Sequence, residues 1–107
     1  MSALKVDTKS FDSEVLECSN PVVVDFWASW CRPCVKLSPI IDDIADELAD
    51  KVKITKLDIE ESSEISTRYQ ISSIPTLILF KDGKVIDRMM PGASSQSDII
   101  EWILSRV

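Results

Sequence analysis

The sequence of 107 residues contains no histidine, only two glycines and only three cysteines. Without histidine the chain has no imidazole zinc ligand, no Ser-His-Asp or Cys-His catalytic pair and no proximal haem ligand. Three cysteines cannot fill a four-thiolate zinc or iron–sulfur site from one chain. The Gly-x-Gly-x-x-Gly dinucleotide fingerprint is also missing. We therefore expect neither a metal site nor a bound cofactor.

Positive charge and long apolar runs are scarce as well. With 18 acidic against 12 basic residues the net charge is −6, which argues against nucleic acid as a partner because phosphate binding relies on Lys and Arg. No apolar run reaches the roughly 18 residues of a membrane span, and the first seven residues lack the apolar core of a signal peptide. We expect a cytoplasmic chain without a membrane partner. The length predicts a single domain, residues 1–107.

The apolar pattern predicts the element order β α β α β α β β α. Residues 22–28 are almost continuously apolar, which is typical of a strand inside a sheet covered by helices. A long amphipathic helix is predicted from near Cys31 to near Lys51. Further strands are predicted at residues 4–7, 53–59, 76–81 and 84–89, and shorter helices at residues 11–18, 63–69 and 95–104. Asp82-Gly83 suits a tight hairpin turn. The pattern predicts an α/β fold with a mixed sheet between helices.

Two cysteines lie where the buried strand gives way to the long helix, in the run Trp30-Cys31-Arg32-Pro33-Cys34. Residues three apart on a helix share one face, so the two sulfurs can come within disulfide distance. At a helix N-terminus the positive end of the dipole favours a thiolate on Cys31. Cys31 is then the better nucleophile, and the more buried Cys34 resolves the mixed disulfide.

Three other interpretations of the pair are open. A purely structural disulfide is disfavoured, because closing a loop with only two intervening residues stabilises the fold very little. Half of a zinc site would need Cys18 and carboxylates to complete it. Two incidental core cysteines would leave the Trp, the Pro and the position after a buried strand unexplained. The pattern therefore favours redox chemistry. Cys18, at the end of a short predicted helix, is interpreted as a small half-buried hydrophobe.

Asp25 stands out in the middle of the buried strand. A carboxyl group buried on both sides should have a raised pKa, which suits proton transfer near neutral pH. The residues alone therefore make Asp25 a candidate acid/base.

The chain resembles the thioredoxin family along nearly its whole length. The residues that carry the resemblance are, in order, Val24-Asp25-Phe26-Trp27-Ala28-Ser29-Trp30-Cys31-Arg32-Pro33-Cys34, Ser73-Ile74-Pro75-Thr76-Leu77, Lys81-Asp82-Gly83-Lys84 and Gly92-Ala93. The resemblance implies the thioredoxin fold, a three-layer α/β/α arrangement with a central mixed five-stranded sheet and four flanking helices.

The resemblance also implies roles for individual residues. Cys31 would attack, Cys34 would resolve, and Asp25 would assist proton removal from Cys34 with Lys56 beside it. Pro75 would follow a cis peptide bond and leave the adjacent backbone free to bind an extended substrate. A substrate-docking rim around Cys31 would consist of Trp30, Arg32, Pro33, Ile74, Pro75, Gly92 and Ala93. Trp27 would pack beneath the site.

Four positions depart from the family pattern. Arg32 stands where the family usually has Gly, Gln70 and Ser73 where it often has Gly, and Pro91 where an apolar residue is common. A guanidinium beside Cys31 would stabilise the thiolate and hence the reduced form, which makes the protein a somewhat stronger oxidant. Selection of acidic partners, or simple tolerance on an exposed loop, are the other interpretations of Arg32.

The resemblance implies a general protein-disulfide reductase that works without a bound cofactor. Its partners would be disulfide-containing proteins and a thioredoxin reductase, and we expect a monomer. Two alternatives are a specialised thioredoxin-like oxidase or isomerase with a dedicated partner, and a redox-independent protein-interaction module.

Overall fold

The computed structural model describes residues 3–107. Within them lie five strands, three α-helices and one short π-helical turn. The strands are β1 (Leu4–Val6), β2 (Val22–Trp27), β3 (Lys53–Asp58), β4 (Thr76–Lys81) and β5 (Lys84–Met89). The α-helices are α1 (Arg32–Glu47), α2 (Ser63–Arg68) and α3 (Gln96–Leu104), and the π-helical turn spans Asp12–Leu16. The predicted element order is confirmed.

The five strands form one mixed sheet in the order β1-β3-β2-β4-β5. β3 runs parallel to both β1 and β2, whereas β4 is antiparallel to both β2 and β5. β2, with its continuous apolar run, is therefore the central strand, and its first five residues are buried. The predicted mixed five-stranded sheet of the thioredoxin fold is confirmed.

Helices cover the sheet on both faces because alternate residues of each strand point to opposite sides. On one face α1 and α3 pack over Val23, Ile54, Leu77 and Leu79. On the other face the π-helical turn and α2 pack over Val22, Val24, Phe26, Leu57, Ile78 and Phe80. We call these the α1 face and the α2 face. Asp25 lies two residues after Val23 in β2, on the same side of the strand, and so belongs to the α1 face.

The element ends differ from the sequence expectation at two places. α1 ends at Glu47 rather than near Lys51, since Leu48 closes the helix and its carbonyl accepts hydrogen bonds from the N–H groups of Lys51 and Val52. The segment predicted as a first helix is a single π-helical turn, in which Glu17 N–H donates to the carbonyl of Asp12 at 2.9 Å.

Local turn and cap signals of the sequence are present in the structure. Asp82 and Gly83 both have positive φ, 53° and 77°, the combination that a two-residue hairpin turn requires. Ser95 caps α3 and forms a reciprocal capping box with Asp98. None of the helices in the part of the chain that the structure describes is long and apolar enough to cross a membrane.

Candidate active site

Cys31 and Cys34 form a disulfide at the N-terminus of α1, with their Cα atoms 5.2 Å apart. Cys31 is the N-cap residue, and its sulfur accepts a hydrogen bond from the backbone N–H of Cys34 at 3.2 Å. Cys34 lies inside the first turn and is buried, with 1% of its surface exposed, against 6% for Cys31. On reduction, the same N–H group and the helix dipole would stabilise negative charge on the Cys31 sulfur. The local geometry therefore distinguishes the two cysteines chemically.

The loop that precedes β4 lies beside Cys31. The peptide bond between Ile74 and Pro75 is cis, as the resemblance implies. The carbonyl oxygen of Ile74 lies 3.9 Å from the Cys31 sulfur, and the side chain of Ile74 packs against the cysteine pair. This loop places the half-buried residues Ile74 and Pro75 beside the more accessible cysteine.

The other members of the predicted docking rim surround this point on separate elements. Trp30 is the exposed neighbour of Cys31, with 63% of its surface accessible. Arg32 and Pro33 occupy the exposed first turn of α1, and Gly92 and Ala93 form an exposed loop across a groove from them. Gly92 has a positive φ of 53°. Whether this surface binds substrate stays a prediction.

Asp25 is buried on the α1 face with 1% of its surface exposed. Its Oδ1 atom has no hydrogen-bond partner among the described residues. Burial raises the pKa of this carboxyl to about 7, while the charge of Lys56 lowers it and the charge of Asp42 raises it. Desolvation is the dominant cause, as expected for a carboxyl in the middle of the central strand. The group is poised to exchange a proton near neutral pH.

Lys56 of β3 lies directly opposite Asp25 of β2 in the sheet. Its ammonium group, however, contacts side chains of α1. Lys56 Nζ lies 2.9 Å from Asp42 Oδ1 and donates to Ser38 Oγ. Burial raises the pKa of Asp42, but the hydrogen bonds from Ala3 N–H and Lys56 outweigh it, so the pKa lies below the usual range. Asp25, Lys56 and Asp42 thus form one partly buried charged group.

Sequence reasoning missed Ser38 and Asp42 in this group. A signal for them exists, because Cys34, Ser38 and Asp42 recur every four residues and so share the face of α1 that contains the resolving cysteine. The same spacing relates Arg32 to Lys36 on a neighbouring stripe of the helix, beside the groove.

Trp27 is half-buried and packs against the cysteine pair. Its indole Nε1 is buried without a hydrogen-bond partner in the described part of the chain. The side chain lies beneath the site, as the resemblance implies, rather than on the exposed rim.

Cys18 is a half-buried free cysteine that packs against the apolar cluster of the α2 face. That surface is separate from the cysteine pair, in line with its interpretation as a small hydrophobe. Within residues 3–107 no group of three or more acidic or cysteine side chains is arranged to hold a metal ion.

Comparison with known proteins gives matches over nearly the full length. The family model described as Thioredoxin matches residues 2–105. A protein named Thioredoxin from Rickettsia bellii (strain RML369-C) is 47% identical over 105 residues, which covers 98% of this chain and 99% of the relative. A Thioredoxin from Acidithiobacillus ferridurans is 42% identical over 104 residues, with 97% and 95% covered. Thioredoxin 1 from Synechococcus elongatus is 46% identical over 88 residues, or 82% of each chain.

Proposed function

The chain belongs to the thioredoxin family and is a thiol-disulfide oxidoreductase, and from that premise we propose which residues perform the exchange. The observation that carries the proposal is the Cys31–Cys34 disulfide at the start of α1, with Cys31 as N-cap and Cys34 buried behind it. The disulfide is the oxidised state of the pair, and the reduced state has two thiols.

In the proposed forward reaction the reduced protein cleaves a disulfide in a partner protein. The Cys31 thiolate attacks one partner sulfur, a mixed disulfide forms, and the second partner sulfur leaves as a thiolate that takes up a proton. Cys34 then attacks the Cys31 sulfur and releases the first partner sulfur. Two electrons pass to the partner, and the Cys31–Cys34 disulfide of the present structure is regenerated.

Cys34 must lose its proton before it can resolve the mixed disulfide. We assign that proton to Asp25, whose carboxyl lies on the face of the sheet that α1 covers and has a pKa of about 7. At neutral pH such a carboxyl is present in both protonation states, so it can accept a proton and return it later. Lys56 and Asp42 act on Asp25 through their charges, and we propose them as positioning residues.

The partner segment docks, in this proposal, on the rim around Cys31. Exposed apolar surface of Trp30 and Ala93 lies on either side of the half-buried Ile74, and we propose that the backbone at Ile74 pairs with an extended peptide. A thioredoxin reductase would return the protein to its reduced form, and the cytoplasm is the compartment in which we expect this cycle to run. We propose that the chain acts as a single domain and as a monomer.

The test is reduction of a disulfide-bonded model protein such as insulin, followed by trapping. Cys31→Ser should abolish reduction. Cys34→Ser should accumulate a mixed disulfide through Cys31 that is visible on a non-reducing gel and disappears with dithiothreitol. Cys18→Ser is the matched control, because it removes the third thiol outside the site, and it should retain the wild-type rate.

Loss of activity in Cys18→Ser, or retained activity in Cys31→Ser, would contradict the assignment. Neither the specialised oxidase or isomerase nor the redox-independent module is favoured by the family match. A redox-independent module would keep its partner binding when both Cys31 and Cys34 are replaced by Ser.

A further inference from the structure

A groove runs beside Cys31 between the first turns of α1 and the loop that follows β5. Its lining includes Arg32, Lys36, Leu37 and Ile40 from α1, and Gly92 and Ala93 from the loop. We call it the basic groove. Its floor is apolar, because Leu37 is buried and Ile40 half-buried, whereas Arg32 and Lys36 are exposed at its edge.

The two cations of the basic groove are available to a partner. Arg32 and Lys36 lie four residues apart on α1 and so project from the same side of the helix. Neither forms an ion pair with any residue between 3 and 107, whereas Lys56 is held by Asp42 and Lys53 by Glu14. The groove is therefore a local positive surface on a chain whose net charge is −6.

We propose that the basic groove selects protein disulfides whose flanking segment carries Asp or Glu. The proposal rests on the reductase function above and names the class of substrate that this site prefers. A carboxylate of the bound segment would meet Arg32 and Lys36, while its methylene groups would lie over Leu37 and Ile40. Net negative charge on the rest of the molecule repels acidic partners in general, so the local cations decide which acidic segments can approach Cys31.

The reach of the groove fixes where the acidic residues should lie. Lys36 is five residues beyond Cys31, which corresponds to about 7.5 Å along the helix axis at a rise of about 1.5 Å per residue. An extended substrate advances about 3.3 Å per residue. The preferred Asp or Glu is therefore about two to three residues from the cysteine under attack.

The experiment uses three disulfide-bonded peptides that differ only in the residues two and three positions from each cysteine, which are Glu, Gln or Lys. The pre-reduced protein is mixed with each peptide in a stopped-flow instrument, and the second-order rate constant of reduction is divided by that for dithiothreitol on the same peptide. Two exposed ion pairs of about 0.2 to 1 kcal/mol each correspond to a roughly two- to thirtyfold preference for Glu over Gln at low salt, and we expect a value near the middle of that range. At 1 M salt the preference should fall towards one.

The variant Arg32→Gln/Lys36→Gln should lower the preference for Glu to below about twofold. Lys84→Gln is the matched control, since it removes an exposed cation of the β4–β5 hairpin, at the end of β4 far from Pro75, and it should leave the preference unchanged. Equal normalised rates for the Glu and Gln peptides with the wild-type protein would overturn the inference. So would an equal fall for all three peptides in the double variant that leaves the preference for Glu unchanged, because that is the signature of a less stable Cys31 thiolate without selection.

Failure to reduce any of the three peptides would have a different meaning. It would contradict the reductase function itself, and the inference on substrate class would fall with it. Reduction of all three at one normalised rate contradicts the inference alone.

Discussion

The two faces of the sheet are built from the same strands but contain different chemistry. On the α2 face β2 contributes Val22, Val24 and Phe26 to a large apolar cluster, and the buried threonines beside them, Thr55 and Thr76, both donate their hydroxyls to backbone carbonyls. On the α1 face the alternate residues of β2 are Val23, Asp25 and Trp27, and both Asp25 and Trp27 bury a polar atom without a hydrogen-bond partner within residues 3–107. Both faces contain a buried apolar cluster, but only the α1 face also buries a titrating carboxyl, at the cost of an unpaired polar atom.

Three aromatic rings pack against one another on the α2 face. Phe11, Tyr69 and Phe80 form a mutually contacting cluster with centroid distances of 5.3 to 5.8 Å, and aromatic pairs at such distances stabilise beyond their buried area. None of the three belongs to the proposed active site. Mutations on this face should therefore change the free energy of unfolding and leave the redox chemistry of the folded protein intact.

Phe80→Ala should give the largest effect on stability. The side chain is fully buried, and loss of a buried Phe costs about 3 to 5 kcal/mol. Denaturant unfolding measures the loss, and the insulin reduction rate per folded molecule should stay within about twofold. A loss of less than about 1 kcal/mol, or a collapse of activity in the folded fraction, would contradict the division between the faces.

Asp25→Asn should change how stability depends on pH. The pKa of Asp25 is about 7 in the folded protein against an ordinary value of 3.8, so the unfolded chain releases this proton near pH 4 while the folded protein keeps it. The contribution of Asp25 to stability therefore falls as pH rises from about 4 and levels off above about 7. A shift of about three pKa units corresponds to about 4 kcal/mol.

Unfolding free energies of the wild type and Asp25→Asn at pH 4 and pH 8 check this. Relative to the variant, the wild type should lose about 4 kcal/mol between the two pH values. Parallel pH curves for the two proteins would show that Asp25 is not a buried group with a raised pKa. Asp43→Asn is a suitable control, because Asp43 is an exposed aspartate on α1.

The sequence predicts the apolar framework of both faces more fully than the polar contacts between elements. The run in β2, the Asp82-Gly83 turn and the Ser95 cap are local signals, and local signals suffice for the element order. The ion pair between Lys56 and Asp42 depends on how α1 crosses β3, and the hydrogen bond from Trp102 Nε1 to Asp87 Oδ2, 2.9 Å long, depends on how α3 meets β5. Such contacts join distant residues, so a local pattern can place Asp42 on the Cys34 face of α1 but cannot identify its partner.

Gln70→Gly should change the free energy of unfolding by a smaller amount. It follows α2 and has a positive φ of 54°, a conformation that costs a residue with a side chain roughly 1 to 2 kcal/mol. Gln70→Gly removes that cost but adds flexibility to the unfolded chain. We expect a net gain of about 0.5 to 1 kcal/mol in denaturant unfolding, with no change in reduction potential. Destabilisation would contradict the strain assigned to this position.

Arg32→Gly should give the smallest effect. It should change the reduction potential of the Cys31–Cys34 pair and leave the free energy of unfolding unchanged. Arg32 is exposed and is the first residue of α1, directly after the N-cap Cys31, and the hypothesis is that its charge favours the Cys31 thiolate and hence the reduced form. Exposed charges contribute about 0.2 to 1 kcal/mol, which for a two-electron couple is a few to about 20 mV. Equilibration with glutathione should show a more negative potential in the variant. An unchanged or less negative potential would contradict the hypothesis.

The central claim is that the buried carboxyl of the α1 face accepts the proton of the resolving cysteine, and the pH dependence of the resolution step tests it most directly. Reduced protein is mixed with a saturating disulfide substrate, and release of the partner sulfur held in the mixed disulfide with Cys31 is followed by stopped flow between pH 5 and pH 9. The wild-type rate should rise through about pH 7, the pKa of Asp25, whereas Asp25→Asn should lack that rise and be roughly a hundredfold slower at neutral pH. Superimposable profiles for the two proteins would contradict the account.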